Sequence, residues 1–178
     1  MQNVVIIFAT NRANSYTKRV GNIYCKMLND FDVKPLIIDL YEINQFTNIL
    51  NSELYGQRSD YFQKIITEIL LPNSKFIFVV PEYNGSFPGV LKLFLDAIHP
   101  STWLNKKALL VGVSAGRAGN LRGMEHLTGI LNYLKLFVHP NRLPISLIET
   151  HVEEGANNFK SETQQKVCVE QLKQFIEW

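Results

Sequence analysis

Three short stretches hold the residues able to bind an anion or a flat ligand. They are Ala9-Thr10-Asn11-Arg12-Ala13-Asn14-Ser15, Pro81-Glu82-Tyr83-Asn84-Gly85-Ser86-Phe87-Pro88-Gly89 and Ser114-Ala115-Gly116-Arg117-Ala118-Gly119-Asn120. In the first, Thr10 and Ser15 offer hydroxyls, and Arg12 offers a planar fork that matches phosphate oxygens. Ser15 can also cap a helix, whose free amides and partial positive charge favour anions. A capped helix with an exposed arginine is the plainer reading of the same residues. Neither GxxxxGK[ST] nor GxGxxG occurs, which disfavours a Walker A loop and a dinucleotide-binding Rossmann loop. In the second stretch Gly85 permits a positive φ and lets a ligand lie against the backbone. Tyr83 is either a stacking ring or a packed surface aromatic. Asn84-Gly85 is a hairpin signal, but a helix is expected directly after it, so the pair is read as a strand-to-helix turn. The small residues of the third stretch either admit a planar ligand or form a flexible turn. No stretch carries an acid, base and nucleophile set, and His99, His126, His139 and His151 show no catalytic pairing. The pattern suits holding a group that brings its own chemistry.

Alternating strands and helices must position these loops. Val4 to Phe8 is a continuous apolar run, as in a strand buried on both faces. Val20, Ile23, Tyr24, Met27 and Leu28 follow at helical spacing. Further strands are expected over Val33–Ile38, Phe76–Val80, Ala108–Val113 and, briefly, near Ile145–Ile148. Helical faces are marked by Phe62, Ile65, Ile66, Ile69 and Leu70, by Leu91, Phe94, Leu95 and Ile98 starting near Ser86 and Pro88, by Leu127, Ile130, Leu131 and Leu134, and by Cys168, Leu172, Phe175 and Ile176. A polar loop is expected from about Tyr41 to Asp60. Five β/α units call for parallel pairing with right-handed crossovers. At this length the natural α/β solution is a three-layer flavodoxin-like sandwich with a five-stranded parallel sheet in the order 2-1-3-4-5. The three loops then gather at the carboxyl edge of the sheet, around its switch point.

Composition narrows the function class. The chain has 178 residues and 46% hydrophobic content, enough for one domain over 1–178. Its net charge is +2, mixed along the chain, so nucleic acid is not favoured as a partner. Cys25 and Cys168 stand far apart without CxxC spacing. They read as core thiols rather than as ligands of zinc or of an iron–sulfur cluster. No apolar run reaches the ~18 residues of a membrane span. The expectation is a cytoplasmic protein with no metal and no membrane partner.

The chain resembles the NADPH-dependent FMN reductase family, which includes azo, quinone and chromate reductases. The family's phosphate loop, G-S-x-R-x-x-S, is matched at Arg12 and Ser15 and conservatively at Thr10. Its flavin loop, P-E-Y-N-G-S-x-P-G followed by L-K, is matched in full through Leu91-Lys92. The departure is Ala9, where the family has glycine; a positive φ there would strain the loop. The resemblance implies non-covalently held FMN. Thr10, Arg12, Ser15, Tyr16 and Thr17 would hold its phosphate. Pro81, Glu82, Tyr83, Asn84, Gly85 and Ser86 would line the isoalloxazine, with backbone amides tuning the ring. Ser114, Ala115 and Gly116 would close the other side. Hydride from NADPH would pass through flavin N5 to a small acceptor in a ping-pong cycle, with Arg117 and Arg122 as candidates for the extra phosphate of NADPH. A homodimer or homotetramer is implied, with Phe46, Leu50, Leu54, Tyr55 and the helix after Pro88 as contacts. The alternatives are a flavodoxin-like electron carrier without intrinsic NADPH oxidation and a flavin-free interaction domain.

Overall fold

Strand order decides whether the three loops meet. The computed structural model describes residues 3–46, 59–153, 155 and 158–178. The strands are β1 (Asn3–Phe8), β2 (Lys34–Asp39), β3 (Lys75–Pro81), β4 (Lys107–Val113), β5 (Phe137–Val138) and β6 (Leu143–Ile145). The helices are α1 (Tyr16–Asp30), α2 (Leu40–Phe46), α3 (Asp60–Lys64, continued by a π-helical turn over Ile65–Leu70), α4 (Gly89–Asp96), α5 (Leu121–Tyr133) and α6 (Glu162–Glu177). All strand pairs are parallel, and the sheet runs β2-β1-β3-β4-β5, with β6 also pairing β4. This is the flavodoxin-like order expected as the natural solution for a chain of this length.

The fifth position differs from expectation. Two short strands share it: Phe137–Val138 lies beside Lys107–Ala108, and Leu143–Ile145 lies beside Val111–Val113. Pro140 and Pro144 lack the amide a continuous ladder needs, and an edge position tolerates the interruption. The strand expected over Ile145–Ile148 stops at Ile145, because Leu147 takes a left-handed φ of 48°. The expected polar loop also begins later than Tyr41. Asp39 Oδ1 accepts from Tyr41 N at 3.0 Å and starts α2, which buries Leu40 and Ile43. The side chain of Phe46, and Leu50, Leu54 and Tyr55, lie outside the described residues.

Side chains alternate across the sheet into two cores. Val5, Ile7, Phe76, Phe78, Ala108 and Leu110 face one cluster with Phe62, Leu91, Phe94, Trp103 and Leu127. Val4, Ile6, Phe8, Ile77, Val79, Leu109 and Val111 face the other with Val20, Ile23, Leu28, Leu172 and Phe175. Cys25 and Cys168 are buried thiols of the second core, and burial pushes the Cys25 pKa up to about 12. Gly21 lets α1 press onto β1: a Cβ there would lie 2.1 Å from the Phe8 ring. That contact seats the start of α1 above the end of β1. Gln171, fully buried, accepts from the Tyr24 hydroxyl at 2.7 Å and donates to Leu110 O at 3.2 Å and Asn141 O at 2.8 Å. These bonds satisfy buried polar groups and tie α6 to β4.

Candidate functional site

The first loop leaves β1 without strain. Ala9 N donates to Val79 O at 3.0 Å, extending the ladder, and Ala9 is not among the residues with positive φ. The alanine therefore costs the loop nothing, which removes the objection its presence raised. Ser15 takes the extended conformation of an N-cap, and its Oγ accepts from Lys18 N at 3.2 Å. The next amides back, those of Tyr16 and Thr17, are the orphan donors of a helix start. Arg12 lays its guanidinium 4.2 Å from the centroid of the Tyr83 ring. Thr10, buried, puts its hydroxyl 2.6 Å from that of Tyr83 and accepts from Arg12 N at 3.2 Å. The first and second loops are thus joined directly.

The second loop is a hairpin after all. Tyr83 N donates to Ser86 O at 2.9 Å and Ser86 N to Tyr83 O at 3.1 Å. Asn84 and Gly85 between them have φ of 51° and 76°. Positive φ at both central residues is the demand of a type I′ turn, which Asn-Gly meets best. The hairpin reading, set aside in the sequence because a helix follows, is correct. The turn closes first, and the helix starts at Gly89 rather than at Ser86. Closure also decides which amides a ligand can use. Pro81 has none, Glu82 N donates to Val113 O at 2.9 Å, and Tyr83 and Ser86 bond each other. Among the described residues the amides of Asn84 and Gly85 have no acceptor. The expectation of amides along the whole loop narrows to these two.

The third loop is tied to the sheet edge. Gly116 N donates to Ser114 Oγ at 3.0 Å, Leu147 N to Gly116 O and Ile148 N to Ser114 O, both at 3.1 Å. Asn120, fully buried with φ of 66°, donates its Nδ2 to Val80 O at 2.9 Å. That bond clamps the start of α5 to the end of β3.

Between the loops lies a cleft of about 340 Å³. Of the residues expected to bind, Arg12, Ser15, Tyr16, Thr17, Pro81, Glu82, Tyr83, Ser114 and Ala115 line it. Thr10 stands behind Tyr83 and reaches the cleft through it. Asn84, Gly85, Ser86 and Gly116 are not on its wall. The turn sits instead against α5: Ser86 Oγ is 2.9 Å from His126 Nδ1, and a Cβ on Gly85 would come within 2.9 Å of Arg122 Nη1. Arg122 therefore borders the Asn84-Gly85 turn, while Arg117 is exposed on the third loop. Asn14, Val113, Ile148 and Glu149 also line the cleft and escaped the sequence reading. Ile148 was read as part of a strand. Ending that strand at Ile145 would have revealed a fourth loop at the same edge.

Chemically, the cleft is lined by one cation, Arg12, by hydroxyl residues and the start of α1, by the apolar Pro81, Val113 and Ile148, and by the carboxylates Glu82 and Glu149. That donor set fits a phosphorylated, planar, largely apolar group. Among the described residues no cluster of His, Cys, Asp or Glu could hold a metal ion.

The sequence profile described as NADPH-dependent FMN reductase matches residues 2–149. The chain belongs to the NADPH-dependent FMN reductase family. It is an FMN-dependent NAD(P)H oxidoreductase. This reductase is similar to a 2-hydroxy-1,4-benzoquinone reductase of Burkholderia sp, 25% identical over 170 residues, covering 90% of this chain and 87% of that one. It is similar to an FMN-dependent NADPH-azoreductase of Staphylococcus aureus, 26% identical over 160 residues, covering 86% and 79% of the two. In fold it is similar to the flavoenzyme NAD(P)H:(acceptor) oxidoreductase FerB of Paracoccus denitrificans. That likeness has a TM-score of 0.78 at 17% identity and covers 100% of this chain and 97% of the other.

Proposed function

We propose that this reductase carries hydride from NADPH, by way of FMN held in the cleft, to a small quinone or azo acceptor in a ping-pong cycle. The observation that supports this most is the cleft itself, with Arg12, Ser15 and the α1 amides at one end and the Pro81–Tyr83 segment along one side. FMN, when bound, supplies the hydride-accepting and hydride-donating chemistry. The protein's part is to bind and orient. Arg12, Ser15 and the amides of Tyr16 and Thr17 neutralise the phosphate. Pro81, Val113 and Ile148 give apolar surface to the ring and exclude water from it. The free amides of Asn84 and Gly85 stand beyond the cleft wall and are the loop's remaining donors for the part of the ring that extends past Tyr83. No side chain is assigned a proton-transfer step. Arg122, beside the turn, is the better placed of the two arginines proposed for the 2′-phosphate of NADPH. The acceptor class is the one named for the Burkholderia and Staphylococcus relatives.

The chain is proposed to act as one domain over 1–178 and as a homodimer in the cytoplasm. A groove of about 430 Å³ between α4 and α5, lined by Leu95, Ile98, Ile130, Tyr133 and Leu134, supports a paired surface. Both thiols are unpaired, which suits a reducing compartment. No helix of the described residues is long and apolar enough to cross a membrane.

The experiment is anaerobic stopped-flow reduction of the FMN-loaded protein by NADPH, followed by mixing with a quinone. Bleaching of the flavin by NADPH, its recovery with quinone and parallel double-reciprocal lines are expected. A flavin that quinone reoxidises but NADPH never reduces would return the chain to the electron-carrier class.

A further inference from the structure

The loop that resembles a flavin-ring loop has one side chain turned to the other end of the site. We infer that Tyr83 is a positioning residue for the phosphate: its ring holds the Arg12 guanidinium at the place where an anion meets it. The inference rests on the FMN reading and refines how FMN is told from the same flavin without phosphate. Three contacts carry it. The guanidinium carbon of Arg12 lies 4.2 Å from the Tyr83 centroid. The Tyr83 hydroxyl lies 2.6 Å from Thr10 Oγ1, so the ring is fixed from its far end by a buried residue of the first loop. Thr10 Oγ1 also accepts from the Arg12 backbone amide at 3.2 Å, fixing the main chain that carries the arginine.

The electrostatics point the same way. Among the described residues Arg12 has no carboxylate partner. Its restraint is a ring face, which attracts a cation without neutralising it. An arginine held by a carboxylate would have its fork occupied. One held on a ring keeps its N–H edge free for phosphate oxygens. Stacking also removes rotamer freedom from a long exposed side chain before the ligand arrives, so less is lost on binding. The anchor for that restraint stands two residues after the end of β3, seventy-one positions from the arginine it serves. Phosphate binding in the first loop therefore depends on the second loop being folded.

The test compares FMN with riboflavin, which differ by the phosphate alone, in flavin-fluorescence titrations of the full-length apoprotein. The readout is the ratio of the two dissociation constants. A contact of Tyr83 with the ring system changes both constants and cancels from the ratio. Arg12→Ala is expected to lower the preference for FMN by about tenfold to a hundredfold, the range for a lost charge-assisted hydrogen bond. Tyr83→Leu is expected to lower it about three- to tenfold, the worth of a cation–π contact. Tyr83→Phe keeps the ring but loses its tether to Thr10, and is expected to fall between the parent and Tyr83→Leu. In an Arg12→Ala background, Tyr83→Leu is expected to leave the ratio unchanged. Thermal melts of each apoprotein confirm that the variants fold. Equal weakening of both flavins by Tyr83→Leu overturns the inference, as does a loss in Tyr83→Phe larger than in Tyr83→Leu. So does an undiminished effect of Tyr83→Leu when Arg12 is already absent. A parent protein that binds neither flavin overturns the FMN reading itself, and the inference with it.

Discussion

Replacing Gly85 by valine separates the turn's role in ligand binding from its role in the fold. Gly85 has φ of +76°, and an L-residue in the left-handed region costs about 1–2 kcal/mol, toward the upper end for a β-branched side chain. The added Cβ would also come within 2.9 Å of Arg122 Nη1. That atom ends a flexible side chain and can withdraw at little cost. The turn carries no core residue, so the apoprotein is expected to fold with a melting temperature lower by roughly 2–8 °C, at about 2–4 °C per kcal/mol for a domain of this size. Binding suffers differently. Relaxing the strain rotates the peptides that carry the free amides of Asn84 and Gly85. Losing two neutral hydrogen bonds at about 1 kcal/mol each raises the FMN dissociation constant roughly thirtyfold. The assay pairs FMN titration with a thermal melt of the same apoprotein. A variant that melts a few degrees low yet binds FMN like the parent refutes the assignment of ligand contacts to this turn. The hairpin would then only link β3 to α4.

Other substitutions test the packing that aims the site. Gly21→Ala drives a methyl into the buried Phe8 ring and is expected to cost about 1–3 kcal/mol in denaturant melts, as overpacking does. Gly89→Ala, in the same sequence motif as Gly85, meets no atom of the described residues within 4 Å and lies in the first turn of α4. It is expected to leave stability unchanged or raise it by up to about 1 kcal/mol; a clear loss would show a ligand or partner role for that glycine. Burial lowers the His139 pKa below its ordinary value of 6.5. Between that lowered value and 6.5 the unfolded chain binds more protons than the folded one, so stability is complete above about pH 6.5 and declines as pH falls through the window. His139→Gln should flatten the fall in melting temperature between about pH 7 and 5, and an unchanged slope would assign it to other groups.

The sequence by itself determined the alternation of elements, the faces of the cores and the loops that matter. Continuous apolar runs such as Val4–Phe8 and Phe76–Val80 admit few structures other than strands covered on both sides, and the helical faces fit no other period. Arg12, Ser15 and the Pro81–Gly89 stretch were legible because the two loop motifs of the family restrict residue type locally. What the sequence could not carry was the outcome of competitions between distant groups. Whether Asn84-Gly85 closed as a hairpin depended on where Tyr83 and Ser86 found hydrogen-bond partners, and that closure spent the amides expected to face the ligand. Whether Ala9 strained its loop depended on the ladder bond to Val79. The fifth strand split because both halves could still pair with β4 across Pro140, and Leu147 then turned Ile148 and Glu149 into the cleft. Tyr83 reads from its motif as a ring contact, and only the fold brings it beneath Arg12. Local pattern specifies which backbone states are allowed. Long-range hydrogen bonds and close packing select among them, and those partners are named only when the chain is folded.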